Sequence, residues 1–257
     1  MHIIALVKQT PDTAKLSKTV GGMQLLADGQ PRIVNPWDEY AIEVALQLRE
    51  KHGGRKVTAL TLGKPESVEA LRTALAMGVD EAVHICDPLL NEADTLTTAR
   101  ALAAAIGKLG GADVIVAGRS AIDGGDGATA VQVATLLDLP MLGYVAQLNG
   151  IANRRISVTR AMEYGRETVS TELPVVMSVL KEIAEPRYPS FMGIRKAAKA
   201  TITTWTLAGL GLEPVAPALT WVAAPPAQRE SQIEWLQGTP AEMATALVDR
   251  LFAAKAL

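Results

Sequence analysis

The chain predicts an α/β protein: a parallel sheet with helices on both faces, followed by a hairpin-rich extension and a C-terminal arm. Three observations give that reading. Short apolar runs alternate with helix-length amphipathic stretches from His2 to Leu139, the rhythm of βαβ units. The runs His2–Val7, Val57–Leu62 and Val114–Ala117 are dominated by apolar residues, as strands buried on both faces are. After Pro140 the rhythm gives way to β-prone stretches separated by turn residues, which is hairpin connectivity.

His2–Val7 reads as the first strand, ending in the loop Lys8-Gln9-Thr10-Pro11-Asp12. Gly21-Gly22 and Asp28-Gly29 carry turn chemistry and predict a small hairpin before Ile33-Val34. Pro36 opens a helix to about Lys51, with Asn35 as N-cap and Gly53-Gly54 as the stop. Ala41, Val44, Ala45 and Leu48 share one face of it. Val57–Leu62 is a second strand, and Ser67 caps a helix through Ala76, with Gly78 just past its end. Glu81–Cys86 is a third strand, and Asp94 or Thr95 starts a long helix closed by Gly110-Gly111. Val114–Ala117 is a fourth strand, and its helix ends near Leu139-Pro140. Met141–Leu148, Arg155–Arg160 and Glu167–Thr171 are β-prone, divided at Asn149-Gly150 and Tyr164-Gly165; Leu173–Leu180 is a run able to rejoin the main sheet. The regular pattern weakens beyond Glu185. Residues 213–238 hold Pro214, Pro217, Pro225 and Pro226 with Trp221 and Trp235, a composition suited to an arm lying on a partner or folded back on its own domain. Thr239-Pro240 opens a last helix, Ala241–Ala253, with Leu247 and Leu251 on one face. The division expected is an α/β domain with hairpin extension over 1–185, an exposed loop over 186–199 and an arm with a helix over 200–257.

Composition excludes several classes. With 257 residues, 49% of them hydrophobic and 20% charged, the chain is long enough for one large or two small domains. A net charge of −2 argues against a nucleic-acid surface, and no apolar run is long enough to span a bilayer. The N-terminal stretch reads as a strand and not as a signal peptide. One cysteine, Cys86, excludes an internal disulfide or a cysteine-held cluster, and His2, His52 and His84 lack metal spacing.

The stretch Asp113–Leu137, DVIVAGRSAIDGGDGATAVQVATLL, is the leading site candidate. A strand, a glycine-rich loop and a helix start form the element with which α/β proteins hold phosphate, because the first helical amides are unpaired and the helix dipole favours an anion. In that reading Gly118, Ala121, Gly124, Gly125, Gly127 and Thr129 surround a phosphate and Arg119 neutralises charge. Asp123 and Asp126 repel a phosphate and are left to cap the helix or take a ribose hydroxyl. An ordinary turn-rich connection is the alternative, since the spacing is neither GxGxxG nor GxxxxGK[ST]. Trp37, in the first turn of its helix, is placed either to stack on a planar ligand or to anchor the core. Lys8 is a candidate for a phosphate or a partner carboxylate, or is merely solvated. In PRYPSFMGIRKAAK, Phe191 and Met192 stand among Arg187, Arg195, Lys196 and Lys199, an apolar anchor in a charged rim, as at a transient docking site; burial of Phe191 at home is the alternative. No nucleophile–base pair, paired carboxylates or metal cluster is visible, so the expectation is a nucleotide-binding partner subunit and not a stand-alone enzyme.

Several motifs in series resemble the β subunit of electron transfer flavoprotein: LVKQTPD, NPWDEYAIEVALQLRE, RTALAMGVDEAVHI, AGRSAIDGGDG, VTRAMEYGRETVSTELPVVMSV and EPRYPSFMGIRKAAK. Their order and spacing hold over residues 1–212. The resemblance implies an adenine-nucleotide-binding, Rossmann-like sheet in an αβ heterodimer, one FAD mainly on the α subunit and a structural AMP on β. By position the AMP contacts are Leu6, Asn35, Pro36, Trp37, Asp38, Leu62 and the loop Gly118, Arg119, Ser120, Ala121, Ile122, Asp123, Gly124, Gly125, Asp126, Gly127, Ala128 and Thr129. Phe191 takes the place of the family's dehydrogenase-docking anchor, usually Leu, and Lys196 and Lys199 match lysines that flank it; Met192 and Arg195 stand beside them as partner-binding candidates. The partners implied are the α subunit, flavin dehydrogenases through 186–199, and a membrane quinone oxidoreductase or related acceptor. The compartment implied is the cytoplasm, or the mitochondrial matrix in a eukaryote.

The loop departs from the family pattern. Gly124 and Gly125 stand where acids are common, Ala128 stands for Gln, and Thr13 stands where some members have an aromatic. A bifurcating or nitrogen-fixation-type β subunit, with a second FAD in place of AMP, is the same-family alternative. An ATP-using enzyme or nucleotide-sensing domain is the alternative from another class, although neither a Walker motif nor an SGGxDS-like loop is present.

Overall fold

The structure is a computed structural model that describes residues 1–15, 31–91, 93–214, 216–219 and 233–256. The chain divides into two compact units, residues 1–224 and 225–257.

The first unit is built on a nine-stranded sheet. Its strands in chain order are β1 (His2–Leu6), β4 (Lys56–Leu62), β5 (Glu81–Ile85), β6 (Val114–Gly118), β7 (Met141–Ala152), β8 (Arg155–Met162), β9 (Gly165–Glu172), β10 (Val175–Val179) and β11 (Thr203–Trp205). A separate two-stranded ribbon pairs β2 (Gln9–Pro11) with β3 (Arg32–Val34). The helices of this unit are α1 (Pro36–His52), α2 (Val68–Met77), α3 (Thr95–Lys108), α4 (Thr129–Leu136) and α5 (Phe191–Lys199). The order across the sheet is β11-β5-β4-β1-β6-β10-β7-β8-β9, parallel from β11 to β7 and antiparallel over β7–β9.

The alternation of side chains along the strands sorts the core into two layers. Ile3, Ala5, Val114 and Val116 face α1 and α2, which contribute Ile42, Leu46, Leu71 and Ala74. Ile4, Leu6, Ile115 and Ala117 face α3 and α4, which contribute Leu102, Ile106, Ala130 and Val133. Helices therefore cover both faces of the parallel part, as expected. Ile3, Ile4, Leu46 and Leu60 are fully buried, each side chain worth about 1.5–3 kcal/mol of transfer free energy.

The Leu173–Leu180 run does rejoin the main sheet: β10 lies between β6 and β7. The hairpin extension is continuous with that sheet, but its first turn is not at Asn149-Gly150. Gly150 lies inside β7 at a register shift, with φ 143°. The two-residue turn is Asn153-Arg154, both with positive φ (50° and 58°), closed by the pair Ala152 and Arg155. Asn-Gly here marks a bulge, where a glycine adopts a backbone other residues avoid. The next turn is Glu163-Tyr164, before the pair Met162 and Gly165.

Two boundaries shift. The segment expected as a loop over 186–199 contains α5, capped by Ser190, whose Oγ accepts from the Gly193 amide at 2.9 Å. The α/β body also continues beyond residue 199, since Thr203–Trp205 pairs in parallel with β5 and Leu207 joins the α3 layer. Asn35 and Ser67 stand at helix starts without side-chain cap bonds; Ser67 belongs to a 3-10 turn, Pro65–Ser67, that leads into α2. The turn residues Gly21-Gly22 and Asp28-Gly29, and Trp221, Pro225 and Pro226, lie outside the described residues.

In the second unit, α6 (Pro240–Ala253) opens on a capping box in which Thr239 accepts from the Glu242 amide and Glu242 accepts from the Thr239 amide. Arg250 pairs with Glu234. None of the α6 residues is buried, and Leu247, Val248 and Phe252 are exposed.

Candidate functional site

β1 has β4 on one side and β6 on the other, so the connections leaving β1 and β6 diverge and open a crevice at their C-terminal ends, where parallel sheets collect ligands. A cleft of about 680 Å³ occupies that position. One wall is Leu6, the last residue of β1, with Lys8 beyond it; another is Leu62, the last of β4, with Lys64 beyond it; and the third runs from Gly118, the last of β6, to Thr129, the first of α4. Leu90, Thr95, Thr98 and Leu102 close the side towards α3, and Pro217 and Leu219 reach in from the end of the first unit.

Most residues singled out from the sequence meet here. Leu6, Asn35, Asp38 and Leu62 line the cleft, as do Gly118, Arg119, Ser120, Ala121, Asp123, Gly124, Asp126, Gly127 and Thr129. Pro36, Trp37, Ile122, Gly125 and Ala128 are outside the lining. Trp37 instead faces Arg119, whose guanidinium carbon is 5.4 Å from the ring centroid.

Two side chains bind the glycine loop to the start of α1. Asn35 uses its amide on the loop and not on its own helix: Nδ2 donates to the Ser120 carbonyl (2.9 Å), and Oδ1 accepts from the Ile122 amide (3.2 Å). The Asp38 carboxyl accepts from the Lys8 amide (2.8 Å) and the Gly118 amide (3.1 Å), joining the ends of β1 and β6. Its burial pushes the Asp38 pKa up to about 7, against the pull of those amides towards the charged form. Gly118 must be glycine here, because a Cβ would stand 2.5 Å from Asp38 Oδ1 and 2.6 Å from the Trp37 carbonyl carbon.

Across the mouth, Lys8 Nζ donates to Asp123 Oδ1 at 2.8 Å. Neither Asp123 nor Asp126 caps α4: its N-cap is Ala128, without a side-chain bond. The start of α4 thus carries no N-cap side-chain bond, and helix starts of that kind attract anions. Arg32, Lys64 and Arg119 add positive charge to the lining, and Glu66 and Asp126 add negative charge. This set of groups is suited to holding an anion and a planar ring. Among the described residues no group of His, Cys, Asp and Glu could hold a metal. His2 and His84 sit in structural bonds, to Gly111 and Thr58 and to Gly63 respectively.

The α3 side of the cleft was not read from the sequence. Leu90 and Leu102 look like any core leucines, and only the fold brings them to the crevice. Thr95 and Thr98 had a weak signal: small hydroxyls in the first turn after the N-cap Asp94.

The second candidate surface is α5. Phe191 is 80% exposed and Met192 69% exposed; Ile194, Arg195, Lys196 and Lys199 are exposed too. The helix is seated on α2 through buried Ala197 and through Arg72, which donates to the Ala197 carbonyl at 2.7 Å. A Cβ on Gly193 would collide with the Ala76 carbonyl, so this glycine sets the close approach. Just before α5, Arg187 binds Glu43 (2.7 Å) and Glu50 (2.7 Å) of α1. Phe191 is therefore not buried at home.

No helix among the described residues is long and apolar enough to cross a membrane. The family model described as "Electron transfer flavoprotein domain" matches residues 22–210. The chain is 42% identical over 197 residues to the electron transfer flavoprotein subunit beta of Thermoanaerobacterium thermosaccharolyticum, covering 77% of this chain and 75% of that one. It is 38% identical over 218 residues to the caffeyl-CoA reductase-Etf complex subunit CarD of Acetobacterium woodii, covering 84% and 82%. It is 34% identical over 269 residues to the FixA protein of Sinorhizobium fredii, covering 98% and 94%. With a family match over most of its length and relatives of this kind, the chain belongs to the electron transfer flavoprotein family, among its beta-type subunits.

Proposed function

We propose that the chain is the β half of an αβ electron transfer flavoprotein, with a structural AMP in the cleft and with an FAD, carried mainly by the α subunit, completed by contacts from β. The observation that carries the nucleotide reading is the uncapped start of α4 behind the Gly118–Gly127 loop, at the C-terminal ends of β1 and β6. The residues fit the group. The α4 amides and Thr129 suit a phosphate, Leu62, Leu90 and Leu102 suit the faces of a base, and Asp126 suits a ribose hydroxyl. Asn35 and Asp38 hold the loop that makes those contacts.

The flavin supplies the redox chemistry when bound; this chain supplies positioning and a surface for partners. Exposed Phe191 and Met192 on α5, ringed by Arg195, Lys196 and Lys199, suit docking of a flavin dehydrogenase. A quinone oxidoreductase or related acceptor takes the electrons onward. On this reading the chain is an electron carrier subunit and has no turnover of its own. A second reading places an FAD in the cleft in place of AMP, as in an electron-bifurcating complex. Two observations favour it: the about 680 Å³ of the cleft, and Gly124, around which a Cβ would meet nothing within 4 Å.

Mass spectrometry of the nucleotides released from the chain co-purified with its α subunit tests both. One FAD and one AMP per pair is the expected result, and two FAD would establish the second reading. A folded, colourless pair without FAD would sink both. ATP consumption by the purified chain would move it to the enzyme class.

A further inference from the structure

The cleft has one wall that does not come from the sheet or its crossover loops. Residues 216–219 lie at its edge, and Pro217 and Leu219 line it. Leu219 is 69% exposed, an apolar side chain at the mouth with little protein cover. A second cavity of about 250 Å³ also borders this segment, lined by Leu207, Leu212, Pro214, Ala216 and again Pro217. Pro217 thus borders open space in both cavities.

Asp94 binds the segment directly. The carboxylate is buried at the start of α3 and serves two elements at once. Oδ1 caps α3 by accepting from the Thr97 amide at 2.7 Å. Oδ2 accepts from the Ala218 amide at 2.8 Å and the Leu219 amide at 3.2 Å. Asp94 itself is not in the cleft lining, although its neighbours Ala93 and Thr95 are. Amide bonds to a charged acceptor are among the stronger ones, and they hold the carboxylate in its charged form.

We propose that residues 216–219 form a strap that walls the nucleotide cleft, and that Asp94 is the positioning residue that holds this strap and so sets how long a nucleotide stays bound. This rests on the nucleotide reading of the cleft and adds to it a retention device outside the glycine loop.

Asp94→Ser separates the two jobs of the side chain. Serine is a good N-cap and keeps the bond from Thr97, but it is too short, with too few acceptor positions, to hold Ala218 and Leu219 as well. Leu219→Gly removes the wall's side chain without touching α3. Bound AMP, and in a parallel arm FAD, is chased from the full-length chain in complex with its α subunit, with amide hydrogen exchange followed at Ala218 and Leu219. For Asp94→Ser the expected result is a folded chain with α3 intact, faster exchange at those two amides, and nucleotide release faster by about tenfold or more, since two bonds to a charged acceptor are lost. Leu219→Gly should speed release with α3 intact. Release at the wild-type rate in both variants, or unchanged exchange at 218 and 219 in Asp94→Ser, overturns the proposal while leaving the nucleotide site standing. A folded wild-type complex that takes up neither AMP nor FAD overturns the nucleotide reading itself, and the strap with it.

Discussion

Asp38 joins three parts of the cleft through one carboxyl group: the end of β1 through the Lys8 amide, the end of β6 through the Gly118 amide, and α1, on which it sits. Burial raises its pKa to about 7, so between about 4, the usual aspartate value, and about 7 the folded chain binds a proton that the unfolded chain has released. Stability contributed by this group is therefore greatest at low pH and declines as pH rises through that window. His2 and His84, whose pKa values burial lowers, give a slope of opposite sign near their own range. The comparison of wild type with Asp38→Asn isolates the aspartate: the stability advantage of the wild type, from urea midpoints, should shrink between pH 5 and pH 8. A constant difference would show that Asp38 does not titrate there. The sequence reading singles out Asn35 and Asp38 as nucleotide contacts; the structure places both at the cleft, where each holds backbone of the loop or strand ends. Asn35 reads as a helix cap, and only the fold brings the Ser120–Ile122 backbone within its reach. Lys8, left open between a phosphate, a partner and solvent, meets Asp123.

At the level of elements, the βαβ half was the most legible, because apolar runs and glycine stops mark each strand and helix end locally. Gly53 and Gly78 close α1 and α2 in the left-handed conformation that the sequence predicts. Elements whose stability comes from distant contacts were harder to see. α5 is short and holds together by its Ser190 cap, by Arg72 at its far end and by the Arg187 tie to Glu43 and Glu50, all from sequence-distant positions except the cap. β11 is three residues long and exists because β5 offers it an edge. The rigid seating of α5 matters for the docking proposal, since an anchor on a fixed helix loses less entropy on binding than one on a loose loop. Phe191→Ala should slow electron uptake from a partner dehydrogenase in proportion to an anchor worth roughly 2–4 kcal/mol. FAD and AMP content should stay the same. A variant with normal uptake would remove Phe191 from the docking surface, and one that loses AMP would show that α5 serves the cleft.

For the whole molecule, the parallel sheet is complete at Trp205, and the chain divides after residue 224. A chain cut to residues 1–224 should keep its cooperative unfolding and the AMP of the proposed site, and should lose stable association with the α subunit in size-exclusion chromatography. Retained association would place the subunit interface in the first unit alone. The two-unit division was only partly legible, because proline content marked the weak region while the return of the chain to β5 left no local mark. The position of β10 has a further consequence for a chain still on the ribosome. β10 fills the gap between β6 and β7, so every residue up to Val179 must be made before the sheet closes. Until then β6 is an open edge and the β7–β9 ribbon has no hydrogen-bonded link to the N-terminal strands. The nascent chain thus passes through a stage with an exposed, apolar, strand-ready border, the kind of surface that chaperones shield during synthesis.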